Sequence, residues 1–237
     1  MKLLAIDAST MVATVALATE EGIIAEYTVN NKRTHSQTLL PMIDVIVSNV
    51  GWVMKDIDYI AVTNGPGSFT GLRIGAATAK GLADALGIKI VPVSSLEALA
   101  MNGVMYDGLI VPIMDARRDN VFTGIYKADR CNIYIEETQM AISIYELMEK
   151  LNQKGQKVVF IGDGIKTYHD KIQEGMKVPY EYAPIVMREQ KASSVVECAY
   201  RMIKEDKCVE SSRFELEYLR KSQAERELEA KNGRDIK

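Results

Sequence analysis

The sequence is short of the residues that build metal, disulfide and membrane proteins. It holds three cysteines and two histidines in 237 residues. Cys131, Cys198 and Cys208 are odd in number and show no CxxC spacing, which argues against zinc and disulfide frameworks and for free thiols in a reducing compartment. No uninterrupted run of about 18 apolar residues exists, so no membrane span is expected. Asp7, Ser9 and Thr10 break the apolar N-terminal stretch where a signal peptide would stay apolar, and a cytoplasmic location is expected. Charge of one sign is also lacking. Twenty-nine basic residues against 32 acidic ones leave a net charge of −3. Nothing global draws the chain to a polyanion, so contact with RNA would need a local basic patch or a partner. A nucleophile elbow is missing too, because Gly65-Pro66-Gly67-Ser68 lacks glycine at the required place. Ser68 or Thr70 reads instead as the N-cap of the helix that follows.

What is present is a patterned α/β chain. Leu3 to Asp7, Val12 to Ala18 and Ile23 to Val29 read as three closely spaced strands, the last two joined by the turn Glu20-Glu21-Gly22. The period then changes. Leu39, Ile43, Ile46 and Val50 recur at helical spacing and stop at Gly51. A strand from Tyr59 to Thr63, a long helix from about Phe69 to Leu86 closed by Gly87, and a strand from Lys89 to Val93 follow. Ser94 with Glu97 fits a capping box opening a short helix. The order then recurs, roughly a hundred residues on. Met114-Asp115-Ala116 answers Ile6-Asp7-Ala8, Val121 to Tyr126 answers Val12 to Ala18, and Asp163-Gly164 stands where the first half has Asn64-Gly65. A capped helix runs from Ser143 to Lys154, a strand from Val158 to Gly162, and a helix from about Ser194 to Glu205.

The pattern predicts an actin-like fold of the sugar kinase, Hsp70 and actin type: two duplicated lobes, each a mixed sheet flanked by helices. The divisions expected are 1–104 for the first lobe, 105–212 for a smaller, diverged second lobe, and 213–237 for a tail that packs back on the first lobe and then frays. Such lobes commonly enclose a nucleotide, but fold does not settle function.

Asp7, Ser9, Thr10 and Asp115 are the candidates for a nucleotide cleft. An aspartate ending the first strand can serve a metal or water, and glycine in the adjoining hairpin lets backbone amides wrap phosphate. Here the hairpin has no glycine. Asp7 is therefore also read as a turn residue bonded to its own hairpin. Asp115 and Asp119 with Arg117 and Arg118 read as a solvated, self-paired loop, with acid–base work as the alternative.

The helix Phe69–Leu86 carries Gly71, Gly75 and Gly81, each costing about 0.5–1 kcal/mol relative to alanine. Close approach of another backbone would offset that cost. Leu72, Ala76, Ala79, Ala83 and Leu86 supply one face; Gly71, Gly75, Thr78 and Leu82 form a second. The preceding helix is apolar on more than one side. Leu39, Met42, Ile43, Ile46, Gly71, Leu72, Gly75, Ala76, Ala79 and Leu82 are thus the expected protein interface. Ala76→Arg or Gly75→Leu is expected to block pairing and leave the monomer folded.

Three segments carry a resemblance to the TsaB (YeaZ) family: Ile6-Asp7-Ala8-Ser9, His35-Ser36-Gln37 with Leu39-Leu40-Pro41, and GPGSFTGLRIG from Gly65 to Gly75. Tyr218-Leu219-Arg220 and Ala224-Glu225 are similar to its closing signature. The resemblance is strongest over roughly residues 1–100. It implies a non-catalytic paralogue of TsaD, with no catalytic residue and no metal of its own. TsaD and TsaE are the implied partners, in transfer of a threonylcarbamoyl group to the tRNA adenosine beside the anticodon. tRNA would be met mainly through the complex, ATP or ADP would lodge at the interface with TsaD and TsaE, and the chain alone would form a homodimer. TsaD proteins place two histidines four residues apart on a helix to bind metal. Here His35 is followed at that spacing by Leu39, and His169 is remote. Two alternatives stand beside this reading: an autonomous ATPase or phosphotransferase, and a glycoprotease-type metallopeptidase.

Overall fold

The computed structural model describes residues 1–31, 34–129 and 131–220. The first lobe opens with β1 (Lys2–Asp7), β2 (Val12–Thr19) and β3 (Gly22–Asn30), followed by α1 (His35–Asn49), β4 (Tyr59–Gly65), α2 (Phe69–Leu86), β5 (Lys89–Ser94) and α3 (Ser95–Met101). The second repeats the series with β6 (Leu109–Asp115), β7 (Asn120–Asp129), β8 (Asn132–Ser143), α4 (Ile144–Lys154), β9 (Val158–Ile161), α5 (Gly164–Gly175), β10 (Tyr180–Tyr182), the short α6 (Ile185–Arg188) and α7 (Ala192–Lys204). One sheet has the order β3-β2-β1-β4-β5 and the other β8-β7-β6-β9-β10. In each, an antiparallel meander supplies three strands and parallel crossovers supply two. The two orders are the same permutation, so the repeat read from the sequence is a repeat of topology, and the architecture is actin-like.

Side-chain alternation along the buried strands sorts the layers. In the first sheet Leu4, Ile6, Val15, Leu17, Ile60 and Val62 face α1 and α2. The opposite face is small: Leu3, Ala5, Ala16, Ala18 and Ala61 meet Ala192, Val195 and Ala199 of α7. Alanines there let a helix lie close to the sheet. In the second sheet Leu109, Val111, Ile113, Val158 and Phe160 face α4 and α5. Ile110, Met114, Val159 and Ile161 face Leu96, Leu99 and Ala100 of α3. Each lobe's last helix thus lies between the sheets, and α7 covers the sheet of the other lobe. Arg201 of α7 bridges Glu97 of α3 at 2.8 Å, and Ser194 donates to Asn102 at 2.6 Å.

The helix ends follow local chemistry. Ser68 caps α2 by accepting from the Gly71 amide at 3.3 Å, and Gly87 closes it at φ 68°. Ser143 and Gly155 do the same for α4. Ser94 accepts from the Glu97 amide, while the Glu97 carboxylate pairs with Arg201. No helix among the described residues is long and apolar enough to cross a membrane.

Candidate functional site

A cleft of about 530 Å³ lies where the two lobes face each other. One wall is the β1–β2 turn (Ser9, Thr10, Met11) with the start of α2 (Pro66 to Thr70). The facing wall is the β6–β7 turn (Met114 to Arg117) with Phe122 and Asp163, and Glu217 to Arg220 close the site.

The two turns are built alike. Asp7 Oδ1 accepts from the Ser9 amide at 2.8 Å, and Asp115 Oδ1 accepts from the Arg117 amide at 2.7 Å. In both, the aspartate ending the central strand bonds the amide two residues on. From there the turns diverge. Asp7 is fully buried and also accepts from the Thr63 hydroxyl at 3.0 Å. Burial raises its pKa, against the lowering effect of the Ser9 and Thr63 hydrogen bonds. The carbonyls of this turn are occupied as well: Ser68 donates its amide to Ser9 O at 2.7 Å, and His35 Nε2 lies 2.7 Å from Thr10 O. Gly67 and Gly71 let α2 come this close, since a Cβ on either would collide with the Ser9 or Ala8 carbonyl oxygen.

Ser9, Thr10 and Asp115 line this cleft, and Asp7 lies beneath it. The first turn is largely committed inward, although Asp7 Oδ2 and Ser9 Oγ have no hydrogen-bond partner among the described residues. Its aspartate is sealed behind the turn, its Ser9 amide is spent on that aspartate, and its carbonyls are bonded to α2 and α1. His35 is a strut between α1 and this turn. His169 sits on α5, stacked on Tyr182 at 5.2 Å. Among the described residues no three His, Cys, Asp or Glu side chains gather as a metal site.

The second turn is more open. Arg117, Arg118 and Asp119 all take left-handed backbone, at φ 64°, 53° and 58°, an uncommon choice for side-chain-bearing residues. Asn120 Nδ2 holds the Arg117 and Arg118 carbonyls at 3.3 and 2.6 Å. Tyr168 donates to Asp115 at 2.7 Å, and Lys171 pairs with Asp119. The loop's carboxylates are thus held by α5 and by the turn's own backbone, not by the Arg117 and Arg118 side chains as its composition suggested. Asp163 also belongs to the site. It accepts from the Asp115 amide at 3.2 Å, and burial, with Glu189 and Asp115 nearby, pushes its pKa up to about 6.

The interface residues chosen from the sequence need a correction. Leu39, Met42, Ile43 and Ile46 of α1 and Gly71, Leu72, Gly75, Ala76 and Ala79 of α2 are buried within the chain, and Leu82 is packed against the same core. Helical apolar spacing marks the face turned to the chain's own sheet, and that sheet claims it. Ala76→Arg and Gly75→Leu would thus disturb the core rather than test pairing. The outward sides carry other residues. Leu40 and Val45 of α1 are 54% and 46% exposed, and Arg73, Ala77, Gly81 and Ala85 line the exposed side of α2.

Comparisons with known proteins agree over most of the chain. A family model described as TsaD, tRNA N6-adenosine threonylcarbamoyltransferase, matches residues 20–228. The tRNA threonylcarbamoyladenosine biosynthesis protein TsaB of Bacillus subtilis is 38% identical over 174 residues, 73% of this chain and 76% of that protein. TsaB of Escherichia coli is 30% identical over 234 residues, 98% of this chain and all of that protein. Among solved structures, YeaZ from Pseudomonas aeruginosa superposes with a TM-score of 0.79 at 26% identity, covering 92% of this chain and 99% of that one.

Proposed function

Since the chain belongs to the TsaB (YeaZ) family, we propose that it acts in tRNA threonylcarbamoyladenosine biosynthesis as a non-catalytic subunit that binds and activates TsaD. In this reading TsaD, with TsaE, transfers the threonylcarbamoyl group to the tRNA adenosine beside the anticodon, and meets most of the tRNA. The observation that carries the reading is the fate of the residues the fold would use for chemistry. Asp7 is fully buried and bonded to its own turn, and His35 bonds the Thr10 carbonyl. Neither is presented to a substrate. ATP or ADP is accordingly assigned to the junction with TsaD and TsaE, outside this chain's first turn.

The docking face we assign is the outward side of α1 and α2. Leu40 and Val45 expose apolar surface there, and Ala77, Gly81 and Ala85 keep α2 thin enough for another backbone to approach. Without TsaD, the same face would pair two copies of this chain.

The test is Gly81→Arg and Val45→Asp, each at an exposed position. Light scattering of either variant mixed with TsaD of the same organism should show loss of the complex. Melting temperature should stay near that of the parent, because surface changes away from special features usually stay within about 0.5 kcal/mol. Transfer activity of the mixture should fall with the complex. Undiminished pairing in both variants refutes the face, and threonylcarbamoyl transfer by this chain alone refutes the non-catalytic role.

A further inference from the structure

The segment after α7 is tied down along its length before it reaches the cleft. Val209 and Ile90 exchange backbone hydrogen bonds at 2.8 Å, extending the β5 edge. Ser211 bonds Asp84. Phe214 is buried in the α1–α2 core, and its carbonyl accepts from Lys80 at 3.3 Å. The Glu217 amide donates to Asn64 O at 2.7 Å. Gly65 faces the same stretch at φ 128°, and any Cβ there would collide with the Glu217 carbonyl oxygen. Up to Glu217 the segment is therefore part of the first lobe.

The next three residues leave that lobe. Tyr218 packs tilted against Phe69, ring centres 5.1 Å apart, and accepts from Arg73 Nε at 3.2 Å, with the Arg73 guanidinium over the Phe69 ring at 3.7 Å. Arg220 then donates to the Ala116 carbonyl at 2.9 Å. Ala116 is the base of the β6–β7 turn, which its own hydrogen bonds already hold in one shape. A rigid arm from one lobe thus grips a rigid turn of the other, and Glu217 to Arg220 form a wall of the cleft between them.

We propose that Glu217–Arg220 is a latch that fixes the opening of the cleft, so that release of Arg220 from Ala116 lets the two turns separate. The strength of the device lies in its anchorage. Gly65 admits the arm, the Phe69–Arg73–Tyr218 cluster sets its direction, and a charge-assisted hydrogen bond closes it. The inference concerns cleft geometry alone and stands apart from the subunit role proposed above.

Hydrogen exchange on the full chain, with mass-spectrometric readout, tests it. Arg220→Ala should speed exchange of the 115–120 turn and the 66–70 loop by about tenfold, the scale of one lost charge-assisted hydrogen bond. Exchange in α1, which the latch does not touch, should stay at the parent rate. Gly65→Ala should speed the same turn and loop and should also free residues 216–218, while Phe214 stays in the α1–α2 core. Arg118→Ala, beside the contact but outside it, should change nothing. If Gly65→Ala fails to fold, Arg220→Ala decides by itself, since Arg220 is only half-buried, at the cleft wall. Exchange at the 115–120 turn within twofold of the parent in Arg220→Ala overturns the proposal. So does acceleration spread equally over α1.

Discussion

Asp163 shows how one residue's setting becomes a property of the whole chain. Its carboxyl is largely withdrawn from water and lies near Glu189 and Asp115, and it holds its proton up to a pH of about 6 against 3.8 for a free aspartate. Between those values the folded state binds a proton that the unfolded state has released. Stability from this group is full below about pH 4 and is lost as pH rises through about 6, a change of the order of 1–3 kcal/mol. Asp163→Asn keeps an oxygen to accept from the Asp115 amide and removes the charge. Thermal melts from pH 5 to 7.5 should therefore show a higher melting temperature at neutral pH and a flatter pH slope than the parent. An unchanged slope would place the titrating group elsewhere. Sequence gave mixed access to this scale. Asp7 and Asp115 were legible because each ends an apolar strand before a turn. The role of Asp163 was not, because Asp-Gly after a strand reads as a turn whatever faces it.

Helix α2 separates three uses of one residue type. At Gly71 a Cβ would strike the Ala8 carbonyl; at Gly75 it would meet Ala8 Cβ and Val62 Cγ2 at ordinary contact, 3.5 and 3.7 Å; at Gly81 it would meet nothing. Gly71→Ala should destabilise by about 1–3 kcal/mol, as overpacking does. Gly75→Ala and Gly81→Ala should each stabilise by about 0.5–1 kcal/mol, the helical cost of glycine. Urea denaturation of the three variants checks the order, and a stable Gly71→Ala would contradict the packing described. Helix bounds were readable at this scale because Ser68 and Gly87 are strong end signals. The face of the helix was not. An apolar stripe says that a side will be covered, and leaves open whether the chain's own sheet or another protein covers it. Strands β8 and β10 and helix α5 also went unread, their signals being weaker than those of the first lobe. Ala224-Glu225, read as part of a closing signature, lies outside the described residues.

At the scale of the molecule the two lobes are not independent bodies. Helix α7 lies in the second half of the chain and covers Leu3, Ala5, Ala16, Ala18 and Ala61 of the first sheet. A fragment of residues 1–104 would expose that face to water. It should fail to give a cooperative melt and should bind a hydrophobic dye, whereas co-expression with residues 105–212 should restore a folded complex. A monomeric fragment with a sharp transition would show that α7 is dispensable. The sequence by itself determined the repeat, the order of elements in the first lobe, most helix ends and the family, because these rest on local periodicity, capping residues and a continuous motif. Tertiary structure alone decided which lobe α7 serves, which side of α1 and α2 remains free, and that Asp7 and His35 are bonded inward. Those outcomes depend on contacts between residues far apart in the chain, such as Arg220 with Ala116, and no local pattern encodes which distant surface will arrive to make them.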